Sequence, residues 1–201
     1  MPKILTAIPA LSTEVIRDKV AAILTDEIPN QATLLADAEV NATVYKERVS
    51  PVGYDQCPCL NVMVDTIGFE GQTQLTTNAT NNFFIDIITK GKNTVSKDGD
   101  FASAESALKV ARVVRGILEA PVYKTLDFAP GFISHRKITK LQVSEPRDTK
   151  DSKHMIMIRM EFEVKSHDSN IPQSDHDLGL SRSQFKLDET DKGHLTETVT
   201  N

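Results

Sequence analysis

Hydrophobic and polar positions alternate most cleanly between residues 154 and 165. The even positions Ile156, Ile158, Met160, Phe162 and Val164 are all apolar, and from Arg159 onward the odd positions Arg159, Glu161, Glu163 and Lys165 are all charged. Side chains of a strand point alternately to its two faces, so this spacing predicts a strand with one buried face and one wetter face. Burying those five apolar side chains is worth on the order of 7–15 kcal/mol. That is an upper bound, because the unfolded chain already hides part of the same area. A strand so amphipathic requires a sheet beside it and an apolar layer beneath it.

The rest of the chain supplies both. Ser12 is placed to cap a helix over residues 12–27, with Ile16, Val20, Ile23 and Leu24 at helical spacing, Glu14 in the first turn and Pro29 as its stop. Residues 30–38 form a connection, with a helical turn at 33–36. A Val-, Thr- and Tyr-rich strand over 40–49 ends at Ser50-Pro51, and a second strand covers 59–65 after a loop at 52–58. The Gly-, Thr- and Asn-rich stretch 66–82 reads as a long loop, and long loops in compact domains tend to be functional. Residues 83–89, apolar except for Asp86, have the pattern of a central strand covered on both faces. A polar loop at 90–100, carrying Gly91 and Gly99, leads to the strongest helix, 103–119. Its stripe is Ala104, Ala107, Leu108, Ala111, Val114 and Leu118, and Pro121 terminates it. A strand at 132–145, a charged turn at 146–153 and the opening strand then form a hairpin. The expected class is α+β: a mostly antiparallel sheet of about five strands with two helices packed on one face.

Composition divides this core, residues 1–165, from an appendage at 166–201. The appendage has seven acidic residues against three basic ones and few large apolar side chains, so it holds −4 of the chain's net −5. It cannot bury enough area to order itself, and the expectation is an extended or disordered acidic arm. At 201 residues, 39% hydrophobic and 25% charged, the whole is an ordinary globular composition. Its negative charge argues against nucleic acid as the main partner, and no apolar run reaches the roughly 20 residues of a membrane helix. The opening Met1-Pro2-Lys3-Ile4-Leu5 is not a secretory signal, and Cys57 and Cys59 are too few for a disulfide framework. A reducing cytoplasm is the natural setting.

Candidate chemistry is sparse. Glu163-Val164-Lys165 matches the Glu-x-Lys half of a two-carboxylate-plus-lysine nuclease, which also needs an aspartate such as Asp86 or Asp65 on a neighbouring strand to share a divalent ion. Alternating charges on a wet strand face produce the same triplet. His167-Asp168 and Asp175-His176-Asp177 have metal-ligand residue types but lie in the polar arm, where nothing fixes their geometry. Cys57-Pro58-Cys59 lacks a second pair and reads as a half-buried strand entry. Gly91-Lys92-Asn93-Thr94 lacks the other elements of a phosphate loop, and the acceptor patterns at Asn41 and Asn78 have no secretory context. No catalytic, cofactor-binding or metal-binding residue is assigned, and weight shifts to a structural role.

The segment Val44-Tyr45-Lys46-Glu47-Arg48-Val49-Ser50-Pro51, followed by Cys57-Pro58-Cys59-Leu60-Asn61-Val62-Met63-Val64, resembles one in the tail-terminator proteins of tailed bacteriophages. There a basic strand end and a proline loop lead into a Pro-x-Leu/Ile-x-Val strand. The order that follows is similar too: an apolar strand, a loop, an alanine-rich helix and a closing hairpin, so the likeness spans about residues 12–165. The resemblance implies a non-enzymatic virion protein without cofactors, assembled in the host cytoplasm. It would form a ring, usually a hexamer, that caps the tail tube and joins it to the head connector, with the sheath as a further neighbour. The loops at 66–82 and 90–100 would then make ring and tube contacts, and the charged face of Arg159, Glu161, Glu163 and Lys165 would either face solvent or form one side of a ring interface, pairing across subunits. Two other classes remain: another virion part (head-closure, tube or baseplate protein), or a metal-dependent nuclease using Glu163 and Lys165.

Overall fold

The computed structural model describes residues 7, 8, 10–70, 76–96, 98–144 and 154–169. From Ala10 they belong to one compact unit, Ala10–Asn170. In order it contains α1 (Ser12–Leu34), β1 (Thr43–Lys46), β2 (Cys59–Glu70), β3 (Thr76–Lys90), α2 (Gly99–Glu119), β4 (Ile133–Ser144) and β5 (Met155–Ser169), with short 3-10 turns at Ala38–Val40, Tyr54–Gln56 and Pro121–Tyr123. The strands form one sheet in the order β1-β2-β3-β5-β4. Only β1 and β2 run parallel; the other pairs are antiparallel. The α+β class, the two helices and the five strands are those the hydrophobic pattern predicts. Neither helix is long and apolar enough to cross a membrane.

Both helices lie against one face of the sheet. Phe83, Ile85 and Ile87 of β3, with Ile158, Met160, Phe162 and Val164 of β5, form the floor of the core, all essentially without exposed surface. Ile16, Val20, Leu24 and Ile28 of α1 and Ala107, Val110, Val114 and Leu118 of α2 roof it. The even-numbered stripe of β5 therefore does face the helices. The two-sided burial expected of residues 83–89 holds for all but the half-buried Phe84: on the helix-free face Asp86 and Ile88 are buried as well, beneath neighbouring side chains and the 47–58 segment.

Several boundaries differ from the expectation. Leu11, not Ser12, precedes α1, and its N–H donates to Glu14 Oε2 at 3.0 Å. The helix also runs through Pro29 to Leu34. An interior proline costs about 3 kcal/mol, but stopping there would expose Ile28 and Ala32, both buried in the core. Burial of a side chain such as Ile28 is worth about 1.5–3 kcal/mol, and the last turn adds its own hydrogen bonds. The strand expected over 40–49 is reduced to β1, which stops where Glu47 adopts φ +48°.

The largest correction concerns residues 66–82, expected as a loop. They are strand on both sides of residues 71–75, as β2 continues to Glu70 and β3 starts at Thr76. The register pairs Thr66 with Asn82, Gly68 with Thr80 and Glu70 with Asn78. Small and polar residues alternate here in place of large apolar ones: Thr77, Ala79 and Asn81 are buried, and Asn81 Nδ2 donates to Val164 O and Ser166 Oγ. In α2, which starts at Gly99, Leu108 is 58% exposed, and the buried stripe runs instead through Ser103, Ala107, Val110, Ala111, Val114 and Leu118. The core also extends past Lys165, since β5 continues to Ser169, Ser166 is buried and His167 N donates to Phe132 O. The charged turn at 146–153 and the arm from residue 170 lie outside the described residues.

Candidate functional site

The helix-free face carries the polar side chains of the sheet. Its rows follow from the register: Asn61, Asp86, Arg159 and Gln142 form one, and Met63, Phe84, Glu161 and Lys140 the next. Asn82, Glu163 and Lys137 form a third, then Thr80, Lys165 and His135. In the first row Arg159 Nε and Nη2 each donate to an Asp86 carboxylate oxygen at 2.7 Å, while the guanidinium lies over Phe84 at 4.3 Å. This bidentate bond raises the Arg159 pKa, against the opposing effect of burial. Farther along, Lys137 pairs with Glu163 at 3.2 Å and Lys140 with Glu161 at 3.4 Å. The charges expected to pair across subunits are thus engaged within the chain, apart from Lys165, which lies exposed.

One end of this face is covered by the 47–58 segment. Asn61 holds it there: its Oδ1 accepts from Arg48 N and its Nδ2 donates to Arg48 O. Arg48 in turn donates to Ser50 O, Pro51 O and Gln56 Oε1. Tyr54 closes the segment by donating to Gly91 O at 2.8 Å, with Lys90 Nζ 4.8 Å from its ring centre. Between this segment and β4 lies a groove of about 480 Å³, whose lining includes Arg48, Val52, Ile88, Met155, Met157 and Arg159. Met155, at an odd-numbered position of β5, is buried there.

The structure does not bring the nuclease residues together. Glu163 sits opposite Asn82 and Asp86 opposite Arg159, four residues apart on β5. At about 3.3 Å per residue that is roughly 13 Å, too far to share one ion. Glu163 is paired with Lys137, Asp86 with Arg159, and Asp65 is exposed at the irregularity between Val64 and Thr66. His167 Nδ1 contacts Asn78 Oδ1 at 2.6 Å, and Asp175, His176 and Asp177 lie outside the described residues. Cys57 and Cys59 are buried and free, deeper than a half-buried strand entry. Lys92 and Thr94 occupy an exposed loop whose Asn93 Oδ1 accepts from Gly99 N.

Sequence reasoning missed one cluster. Asp98, Asp100 and His154 bring one potential ligand atom each to within 4.8 Å of one another, and His154 Nδ1 lies 2.7 Å from Asp100 Oδ1. Fifty-four positions separate His154 from Asp100, so no local spacing announces the group. Its structural role is plain: the His154 ring lies on Gly99, where an added Cβ would come within 2.5 Å, and His154 O accepts from Gly91 N. The turn before β5 is thereby tied to the start of α2.

The chain matches no protein-family model and no curated protein sequence.

Proposed function

We propose that this protein is a ring-forming structural subunit of a phage virion, the tail terminator that caps the tail tube and joins it to the head connector. The observation that carries the reading is the pair of outer strands. The sheet of the described residues ends at β1 on one side and β4 on the other, and the strand directions make these two run opposite ways. Copies related by rotation about an axis along the strands would therefore meet β4 to β1 antiparallel, the more stable pairing. Such a head-to-tail contact closes into a ring when the rotation divides a full turn. The β4 side also shows apolar surface on its helix-facing side, with Leu141 43% and Val143 60% exposed beyond the reach of α2. Unpaired strands of this kind invite a partner. Weak contacts repeated around a ring add up, and a completed ring on the tube end blocks further growth.

Replacing Leu141 and Val143 together by aspartate tests this. Being exposed, the pair should shift stability by no more than about 0.5 kcal/mol per site. Light scattering behind size-exclusion chromatography, with and without tail-tube protein, should show rings for the parent chain and monomers for the variant. Absence of the protein from purified particles overturns the reading.

A further inference from the structure

The groove of about 480 Å³ between the 47–58 segment and β4 combines an apolar lining with an unbalanced charge. Val52, Ile88 and Met155 line it as buried side chains, and the half-buried Met63 and Met157 lie beside them. Its charged lining is two guanidiniums, Arg48 and Arg159, against one carboxylate, Asp86. Both Asp86 oxygens accept from Arg159, through Nε and Nη2, so that pair is balanced. Arg48 has no such counterion. Its Nε donates to Ser50 O and its Nη2 to Pro51 O and Gln56 Oε1, all uncharged acceptors, and it enters no ion pair among the described residues. Nη1, with two of the five guanidinium N–H groups, is left over. The half-buried Arg48 is also fixed in place: its guanidinium lies over the Tyr45 ring at 4.6 Å, and its backbone is anchored on Asn61, one strand from Asp86 on the side away from Arg159.

A guanidinium held among neutral acceptors gains most from an incoming anion, because charge-assisted hydrogen bonds are the stronger ones. The rest of the lining suits hydrocarbon, and methionine side chains adapt to irregular apolar shapes. Ligand pockets of this size are built in this way, mostly apolar with a few polar groups that fix orientation. We propose that the groove binds an aliphatic monocarboxylate. The carboxylate accepts from Nη1 of Arg48, and the alkyl chain lies along Val52, Ile88, Met155 and Met157. The lining's single excess positive charge matches one carboxylate rather than a phosphate dianion. Asp86 repels the head group from the Arg159 side, which gives the bound chain its direction. A cationic amphiphile would meet both guanidiniums, and an alcohol would leave Arg48 without a counterion.

The probe is decanoate, titrated into the full chain below its micelle concentration and followed by calorimetry. One equivalent should bind. Octanoate, shorter by two methylenes, should bind about tenfold more weakly. Replacing decanoate by 1-decanol, or Arg48 by glutamine, should each weaken binding at least about tenfold. Because Arg48 also ties down the 47–58 segment, a second measurement uses only the native chain. With the methionine methyl groups labelled with carbon-13, decanoate should shift the NMR signals of Met63, Met155 and Met157. The signal of Met160, fully buried in the helix-side core, should stay in place. No saturable binding, an affinity independent of chain length, or decanol binding as tightly as decanoate would each overturn the proposal. So would undiminished binding by folded Arg48→Gln, or a shift at Met160 larger than those at the three groove methionines.

Discussion

Arg159→Met isolates the ion pair that Arg159 forms with the buried Asp86 in the middle of the sheet. In the parent chain the Asp86 side chain is 8% exposed and its carboxylate accepts both short bonds from Arg159, whose own side chain is 33% exposed. Breaking a fully buried pair from one side costs about 3–5 kcal/mol, because a charge is left without compensation. Arg159 borders solvent, so water would reach the abandoned carboxylate, and the loss should fall to about 2–3 kcal/mol. Part of it, about 0.5–1 kcal/mol, is the guanidinium's contact with the Phe84 ring. For a domain of this size 1 kcal/mol moves Tm by about 2–4 °C, so a fall of about 4–12 °C is expected. Calorimetry or circular dichroism at neutral pH measures it. Asp86→Asn completes a double-mutant cycle, in which the double variant should lose at least about 1 kcal/mol less than the sum of the singles. A Tm fall under about 2 °C, or strict additivity, would refute the pair's role in the sheet.

Tyr123 donates to Glu27 Oε1 at 2.6 Å, and that carboxylate beside the phenol pushes its pKa up to about 12. The folded value lies above the unfolded value of about 10. The bond's stabilisation is therefore complete below pH ~10 and disappears as pH rises through about 12. Spectrophotometric titration should show one of the three tyrosines ionising late, and Glu27→Gln should remove the delay. Incubation with DNA and Mg²⁺ or Mn²⁺ should give no cleavage; cleavage that Glu163→Ala and Lys165→Ala abolish would restore the nuclease reading.

The elements legible in the sequence are those whose periodicity comes from large apolar side chains. Ile156 to Val164 and the 83–89 run both announce themselves, and both form the core floor. Where the register is filled by Thr77, Ala79 and Asn81, hydrophobicity carries no signal, and Gly68 and Gly71 point the wrong way. Their burial follows from pairing between strands already placed by Phe83 and Phe162, a non-local cause. Pro29 failed as a stop signal for a related reason: residues beyond it had a core to join. On the site, the paired carboxylates looked available because their partners are distant in sequence. Lys137 lies 26 positions from Glu163, and Arg159 lies 73 from Asp86. Only the register makes them neighbours.

The same register bears on the outer strands. Lysines on an edge strand normally discourage pairing with another chain, and β4 carries Lys137 and Lys140. Both are drawn back over the helix-free face by Glu163 and Glu161 of β5, so their charge is directed inward across the sheet. At the other side Lys46 is tied to Asp18, and Arg17 to Asp18 and Glu47, a closed set of ion pairs between α1 and the end of β1. Lys46, Lys137 and Lys140 thus have their charges offset within the chain, whereas Arg136 of β4 donates instead to the carbonyls of Ala120 and Lys124. Exposed pairs of this kind add little to stability, about 0–1 kcal/mol each. Their greater effect is on what the edges will accept, which is what the proposed contact of β4 with β1 of a second copy would draw on.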